Sequence, residues 1–137
     1  MFVVGVSDHI MVAHSLRGET FGPAQRLHGA TYEVRVEVLA AALDADSIVI
    51  DIGLLRTVLR ETLAPLDYQN LDDVPAFAGE NTTTEFLCRW IHETLAGRLV
   101  SRAAVRPGAR LRVTLVESPN AWAGYEGDLT DRAKPRA

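Results

Sequence analysis

The chain has 137 residues, of which 47% are apolar and 23% are charged, and its mean hydropathy is close to zero at +0.04. This composition is typical of a single globular domain and excludes a largely disordered chain. The formal charge of -4 comes from 18 acidic and 14 basic residues, and the bases are spread along the chain, which argues against a nucleic-acid partner.

Location and domain extent follow from the same inventory. No apolar run approaches the roughly 20 residues of a membrane helix, and the N-terminal residues carry no basic leader, so we expect a cytoplasmic protein without a membrane partner. The single cysteine, Cys88, lies in an apolar helical pattern, which favours buried packing over reactivity. We expect one domain over residues 1–129 and a disordered tail over residues 130–137, which have no periodicity.

The N-terminal part of the chain predicts two strands joined by a long loop. Residues 2–13 are rich in Val, Ile, Phe and Met and indicate a largely buried strand, with a bulge expected at the polar residues 7–9. Residues 14–29 contain glycine and proline turn signals and indicate the loop. Strict alternation of apolar and polar residues over residues 32–38 predicts a half-buried antiparallel strand.

The middle of the chain predicts a short strand and the first helix. The apolar run at residues 47–50 indicates the strand, and residues 53–64 predict the helix, which Pro65 ends. The expected buried stripe of this helix consists of Leu55, Val58, Leu59, Thr62 and Leu63.

A second helix and two strands follow. A capping box at residues 82–85 opens the helix, which we expect to end near Gly97 and to carry His92 at the surface or its boundary. Residues 110–118 alternate as a strand, and residues 121–127 indicate a last short one. The element order predicts an α+β fold in which two helices cover one face of a four-stranded antiparallel sheet (ββααββ).

Glu117 is the first candidate site residue. It shares a strand face with Leu111, Val113 and Leu115, so alternation places a carboxylate in line with core residues, where it needs a partner. The alternative is that the strand has already ended and that Glu117 meets solvent.

Two histidines are candidate metal ligands. His14 ends the first strand and His28 precedes the second, so both imidazoles meet at one end of the sheet if the strands pair. Neutral imidazole suits zinc, which takes three protein ligands when one position stays open. The alternative is a pair of ordinary turn histidines.

Further candidates lie around the second helix. Asp67 follows the first helix in a turn, where aspartate commonly bonds the local backbone. The run Thr82, Thr83, Thr84 and Glu85 starts the second helix, and its hydroxyls and free N–H groups also suit a polar ligand.

Five segments, in order along the chain, resemble motifs of the 6-pyruvoyltetrahydropterin synthase and 6-carboxytetrahydropterin synthase family. MVAHSL is similar to its first-strand histidine motif, and RLHGATY is similar to its Leu-His-Gly-His-x-Tyr motif. IVIDIGLLRTVL resembles its entry to the first helix, and LDYQNLDDVPAFAGENTTTEF resembles its Leu-Asp-His segment and threonine-rich helix start. VTLVESPNAWAGYEG resembles its glutamate-containing last strand.

The resemblance implies the tunnelling fold, in which subunits complete an oligomeric barrel of antiparallel strands and place active sites at their interfaces. It therefore implies a homo-oligomer, a tetramer or a hexamer, that acts on a small-molecule pterin. It also implies a zinc ion, for which two of three histidine ligands correspond to His14 and His28. Glu117 corresponds to the residue that anchors the pterin, and Thr83, Thr84 and Glu85 correspond to the ring pocket.

The chain departs from the family pattern at three positions. The third zinc histidine corresponds to Ala30, the catalytic cysteine to Ala24, and the catalytic histidine that follows Asp67 to Tyr68. Loss of the third ligand puts zinc occupancy in doubt. His9 is a substitute by residue type, although regular alternation places it on the opposite strand face from His14.

The function that the resemblance implies is therefore a modified one. We expect a zinc-assisted lyase acting on dihydroneopterin triphosphate or a related pterin, with Asp67 and Tyr68 as its catalytic residues. A phenol stays protonated at neutral pH without a nearby cation, so this chemistry is altered or diminished. Arg26 and Gln25 are candidates for binding a substrate carboxylate or phosphate. Two alternatives remain open: a metal-independent pterin enzyme of the same fold, and a non-catalytic pterin-binding or assembly homologue.

Overall fold

The computed structural model describes residues 1–102, 104 and 106–129. The expected disordered tail at residues 130–137 lies outside them. The described elements, in chain order, are β1 Phe2–His14, β2 His28–Ala40, α1 Ile52–Leu63, β3 Gln69–Asn70, α2 Thr84–Ser101, β4 Arg110–Ser118 and β5 Ala121–Asp128. Short 3-10 helices lie at Glu19–Gln25, Leu71–Asp73 and Pro75–Phe77.

The sheet has the strand order β3-β1-β2-β4-β5. Its four long strands pair antiparallel, as expected, while the two-residue β3 pairs parallel with Val12 and Ala13 of β1 and makes the sheet mixed. Both helices pack on one face, where α1 contacts β1 and α2 contacts β4 and β5. The α+β class predicted from the sequence is therefore confirmed, with one additional strand.

β1 is continuous, and the predicted bulge at residues 7–9 is wrong. Its residues pair one by one with β2 from Phe2 opposite Ala40 to His14 opposite His28, without a register shift. The polar Asp8 lies on the helix-facing side without distorting the strand because the guanidinium of Arg60 on α1 pairs with its carboxylate at 3.2 Å. The same register makes His28 the first residue of β2 rather than part of a preceding turn.

The predicted strand at residues 47–50 is also wrong. The segment forms a turn in which Ser47 has a positive φ of 62°. Val49 and Ile50 are buried in the core without pairing to the sheet. Asp51 then caps α1, because its carboxylate accepts hydrogen bonds from the backbone of Gly53 and Leu54.

The predicted buried face of α1 is confirmed, whereas the expected position of His92 at the surface of α2 is wrong. All five residues of the expected α1 stripe are buried. α2 starts one residue later than the expected capping box, with Thr83 as its N-cap, and it continues past Gly97 to Ser101. His92 is fully buried, not at the surface, because this helix packs against α1 on one side and the sheet on the other. Its ring stands edge-on to Tyr125 at 4.9 Å.

Neither of these helices is long and apolar enough to cross a membrane.

Candidate functional site

The candidate site is centred on two histidines that the sheet brings together. His14 and His28 are directly opposed residues of β1 and β2, and their ring centroids lie 4.6 Å apart. Opposed residues of an antiparallel pair point to the same face, so both rings lie on the helix-covered side. Only 3% of His14 is exposed. The convergence expected from the sequence is therefore present.

Hydrogen bonds orient both imidazole rings. Nδ1 of His28 lies 2.8 Å from the backbone oxygen of Arg26. Since a carbonyl oxygen only accepts, Nδ1 carries the proton and donates it, and Nε2 of the neutral ring keeps a free lone pair. Nδ1 of His14 lies 2.9 Å from Oγ1 of Thr82. Burial, together with the adjacent charge of His28, lowers the pKa of His14. A neutral imidazole can accept a proton or bind a metal ion.

Three consecutive threonines connect the histidine pair to α2, and each has a different contact. Thr82 contacts His14, whereas the hydroxyl of Thr83 accepts a hydrogen bond from the backbone of Phe86 and caps the helix. Thr84 hydrogen-bonds with the hydroxyl of Tyr32. The helix start expected from the sequence is therefore also one wall of the site.

Tyr32 is a site residue that sequence reasoning placed only as a strand residue. It lies on the same face of β2 as His28 and is 1% exposed. Burial raises the pKa of Tyr32 even though the hydrogen bond from Thr84 opposes that effect. The available signal was the even spacing between His28 and Tyr32, which puts both on one face.

Glu117 lies at this end of the sheet, but it is exposed instead of buried. Its neighbour Leu115 is buried, and the pairing of β4 with β5 shifts register between Val116 and Ser118, so Glu117 has left the regular alternation. The prediction that it stays in line with the core is wrong for this reason. Its carboxylate nevertheless interacts electrostatically with His14 and Tyr32, so the acid and the imidazole lie close to one another. The last of the expected pocket residues, Glu85, is also exposed, in the first turn of α2.

Asp72 is a second residue that the sequence did not single out. Its carboxylate accepts hydrogen bonds from Oγ of Ser15 at 2.6 Å and from the backbone N–H of Ser15 at 3.1 Å. Burial opposes ionisation, but these bonds and the charges of His14 and Arg17 outweigh it, and the pKa of Asp72 is lowered. Asp72 therefore places a fixed negative charge close to His14. The sequence did not reveal Asp72 because a hydrogen bond to a residue far away in the chain produces no periodic pattern in the sequence.

Asp67 and Tyr68 lie between α1 and β3 and contact β1 at Met11. The carboxylate of Asp67 accepts a hydrogen bond from the backbone of Met11 at 3.0 Å and pairs with Arg60 at 3.2 Å. Tyr68 has a positive φ of 59°, its backbone N–H donates to the oxygen of Met11 at 2.7 Å, and 77% of it is exposed. Asp67 thus has a structural role in fastening this segment to β1, and the Tyr68 side chain is open to a ligand.

The described residues of one chain do not complete the three-ligand zinc set. Ala30 lies two residues from His28 on the same strand face, where its methyl group packs against the core. His9 lies on the opposite face of β1 from His14, because the strand has no bulge to re-phase it. Ala24 supplies a backbone oxygen that accepts from Leu16. Within the described ranges, no three His, Cys, Asp or Glu side chains are grouped to hold a metal ion.

Comparison with known proteins finds a family model and solved structures that match most of the chain. A family model described as 6-pyruvoyl tetrahydropterin synthase matches residues 4–128. The solved structure of the Caenorhabditis elegans enzyme of that name superposes with a TM-score of 0.79 at 24% identity, over 93% of this chain and 96% of that one. The Plasmodium falciparum enzyme gives a TM-score of 0.68 at 17% identity, over 91% and 98%. The Plasmodium vivax enzyme gives 0.70 at 16% identity, over 93% and 99%.

Proposed function

The chain belongs to the 6-pyruvoyl tetrahydropterin synthase family, and from this membership we propose that it binds a reduced pterin and acts on it as a lyase with altered catalytic residues. The substrate is dihydroneopterin triphosphate or a related pterin. The observation that carries the proposal is the arrangement of Glu117 within electrostatic reach of His14, at the end of the sheet where His14 and His28 meet.

In this proposal, Glu117 and the start of α2 bind the pterin ring, and the histidine pair acts on the substrate side chain. The Glu117 carboxylate accepts the paired N–H groups of the amino-pyrimidinone edge, a planar arrangement of two charge-assisted hydrogen bonds. Thr83, Thr84 and Glu85 at the start of α2 border the ring. In the metal-free site, Nε2 of His28 then takes a proton from the substrate side chain, because its other nitrogen is already committed to the oxygen of Arg26.

Zinc has a limited place in the proposal. His14 and His28 are the residues that would hold the ion, and both have the outer hydrogen bond that orients a ligating imidazole. The described residues of the chain add no third ligand, so the proposal assigns no step to a metal. When bound, zinc supplies a positive charge that polarises a substrate oxygen.

We also propose that the chain functions as a homo-oligomer. Within the described residues β3 covers only Val12 and Ala13 of β1, and β5 pairs only with β4, so long stretches of both outer strands keep unpaired backbone groups. Pairing between such edges is the means by which antiparallel strands from separate chains close a barrel. Sedimentation equilibrium gives the subunit number, and a monomer at micromolar concentration would contradict this part of the proposal.

Binding of unphosphorylated dihydroneopterin tests the central claim. Glu117→Gln keeps the shape of the side chain and removes its charge, so affinity is expected to fall about tenfold or more. Glu33→Gln is the matched control. Glu33 on β2 lies opposite Val116 of β4, next to Glu117, but its side chain pairs with Arg35 on the sheet face away from the helices. Equal affinities for the wild type and Glu117→Gln would contradict the proposal.

A second candidate is a pterin-binding protein without turnover. The engagement of both Asp67 oxygens with Arg60 and Met11 favours it, because neither oxygen is free to act on a substrate. Mass spectrometry after incubation with dihydroneopterin triphosphate separates the two, since any new pterin product excludes this candidate.

A metal-independent pterin enzyme of the same fold is the other alternative, and the incomplete ligand set favours it. Metal analysis tests it, because about one zinc per chain that both His14→Ala and His28→Ala abolish would exclude a metal-free enzyme.

A further inference from the structure

Two arginines flank the histidine pair in the loop that joins β1 to β2. Arg17 follows His14 by three residues, and Arg26 precedes His28 by two. Because the two histidines are opposed in the sheet, the chain leaves them side by side, and the backbone N–H of Leu16 donates to the oxygen of Ala24 at 3.0 Å. This bond closes the base of the loop, so both arginines lie just beyond the histidine pair.

The side chains of Arg17 and Arg26 do not stabilise the described part of the fold through hydrogen bonds or ion pairs. Eleven arginines lie among the described residues. Eight of them bind a carboxylate or a backbone oxygen: Arg35, Arg60, Arg89, Arg98, Arg102, Arg106, Arg110 and Arg112. The side chains of Arg17, Arg26 and Arg56 make no hydrogen bond or ion pair to any described residue, and both arginines of the loop are exposed.

The backbone of each loop arginine is held firmly, although its side chain has no hydrogen bond or ion pair with a described residue. The N–H of Arg17 donates to Oδ1 of Asn81 at 2.7 Å, and Nδ2 of Asn81 donates back to the oxygen of Arg17 at 2.9 Å. Asn81 immediately precedes Thr82, which contacts His14. The oxygen of Arg26 accepts the Nδ1 proton of His28. Both arginines are thereby tied to the two imidazoles.

Electrostatics place Arg17 near the site as well. Its charge acts on the Asp72 carboxylate, which in turn acts on His14. Asp72 does not bridge to the guanidinium, because Ser15 holds both of its oxygens. Glu19 is the acidic residue within the loop, and it forms no ion pair with a described residue. These negative charges oppose the binding of an anion, so the attraction must come from the two guanidinium groups.

We propose that Arg17 and Arg26 form an oxyanion-binding pair that receives the phosphate chain of a substrate bound at the histidine pair. The guanidinium group presents a planar fork of donors that matches phosphate oxygens, and two forks on anchored backbone positions bind one polyphosphate together. The pair rests on the proposed function and extends it, because it assigns two residues of this chain to the phosphate chain of the substrate proposed there. Gln25, the other loop residue expected to bind an anion, is not part of it, because its amide donates to the oxygen of Gly22.

Binding of inorganic tripolyphosphate to the full chain, measured by calorimetry at constant ionic strength, tests the pair. Arg17→Ala and Arg26→Ala are each expected to weaken binding about tenfold, the usual effect of losing a charge-assisted contact. Arg17→Lys keeps the charge without the fork and is expected to fall between wild type and Arg17→Ala. Arg56→Ala removes an arginine of α1 that likewise has no partner among the described residues, and this variant is expected to bind like the wild type.

Two further ligands separate the possible outcomes. Citrate at the same ionic strength tests whether the pair prefers phosphate to carboxylate. If citrate binds as tightly as tripolyphosphate and its binding also depends on the two arginines, the anion-binding pair stands but its assignment to a phosphate chain is overturned. Unphosphorylated dihydroneopterin tests the proposed function by itself, and its affinity is expected to be unchanged in both arginine variants. If tripolyphosphate does not bind, or if the three alanine variants behave alike, the pair is overturned even when the pterin binds. If only the pterin fails to bind, the proposed function falls and the anion pair stands.

Discussion

Oγ1 of Thr82 lies 2.9 Å from Nδ1 of His14, and this contact joins the last residue of β1 to the segment that starts α2. Both residues are buried, so neither polar atom has water as an alternative partner. The contact fixes the ring that opposes His28 and makes the geometry of the histidine pair depend on where α2 begins.

Replacing Thr82 by valine tests this dependence. Thr82→Val keeps the shape of the side chain but removes the hydroxyl, so Nδ1 of His14 loses a buried partner at a cost of about 1–3 kcal/mol. Urea denaturation measures the change in the free energy of unfolding. Thr82→Ser, which keeps the hydroxyl, is the control and is expected to lose less, whereas a valine variant as stable as the serine variant would show that the contact contributes nothing.

Restoring a third histidine tests the metal chemistry of the pair. Ala30 shares the strand face of His28, so Ala30→His adds an imidazole beside the two already present. Three ligands are the usual number for zinc with an open position, and affinity is expected to rise by more than about tenfold. Competition with a fluorescent zinc chelator measures the constant. Thr31→His, on the exposed opposite face, is the control, and an equal gain there would indicate adventitious binding.

Variants of Asp67 separate a structural role from a catalytic one. Asp67→Asn keeps an oxygen for the backbone of Met11 and loses only the ion pair with Arg60, whose side chain is 43% exposed. The expected loss of stability is therefore below about 1 kcal/mol. Product formation from dihydroneopterin triphosphate is the second readout. A structural carboxylate predicts near-normal turnover in this variant, and abolished turnover with unchanged stability would restore Asp67 as a catalytic residue.

Gly97 tests the length of α2. A Cβ added at this position meets no atom within 4 Å, and the helix continues for four residues beyond it. Gly97→Ala is expected to stabilise the protein by about 1 kcal/mol, because alanine loses less backbone entropy than glycine in a helix. Gly127→Ala is the contrast, since its Cβ would lie 3.2 Å from the ring of buried His92. A lower melting temperature for Gly97→Ala would contradict the helical assignment.

Cys88 predicts a pH dependence. Burial raises the pKa of its thiol from its ordinary value of 9.0 to about 11, and the thiol donates to the oxygen of Ala123. The folded state therefore holds a proton that the unfolded state releases above pH 9.0, so this contribution to stability is present below that pH and is lost as the pH rises toward 11. Cys88→Ala is expected to flatten the alkaline fall in stability.

The same thiol should resist alkylation in the folded protein. Iodoacetamide at pH 8 reacts with the thiolate, and a buried thiol with a raised pKa supplies little of it. Labelling is expected to be slow in buffer and fast in denaturant, as measured by intact mass. Rapid labelling of the native protein would contradict the burial of Cys88.

Periodicity predicted the elements whose side chains divide cleanly between core and solvent. The α1 stripe is one example, and the alternation of β2 is another, since Tyr32, Val34, Val36 and Val38 are all buried. Periodicity failed where one distant side chain changed the outcome. Arg60 compensates Asp8, so the polar residues of β1 do not bulge. His92 is buried because it shares with Cys88, Ala96 and Leu99 a face of α2 that packs inside the fold.

The candidate site divides in a similar way. The convergence of His14 and His28 followed from strand pairing alone, because both histidines lie where their strands meet the same loop. The position of Glu117 did not, because a register shift between Val116 and Ser118 is set by how β4 meets β5 and leaves no mark in the alternation. Asp72 escaped notice because its contacts with Ser15 join residues 57 positions apart.

The bond from Leu16 to Ala24 has a consequence for how this protein can diversify. It closes the loop below the 3-10 helix Glu19–Gln25, in which no residue is buried. Residues can therefore be inserted or deleted at the tip without displacing the strand ends beneath it. The segment is a natural place to graft new sequence, and a change of ligand preference there would leave the imidazoles where they are.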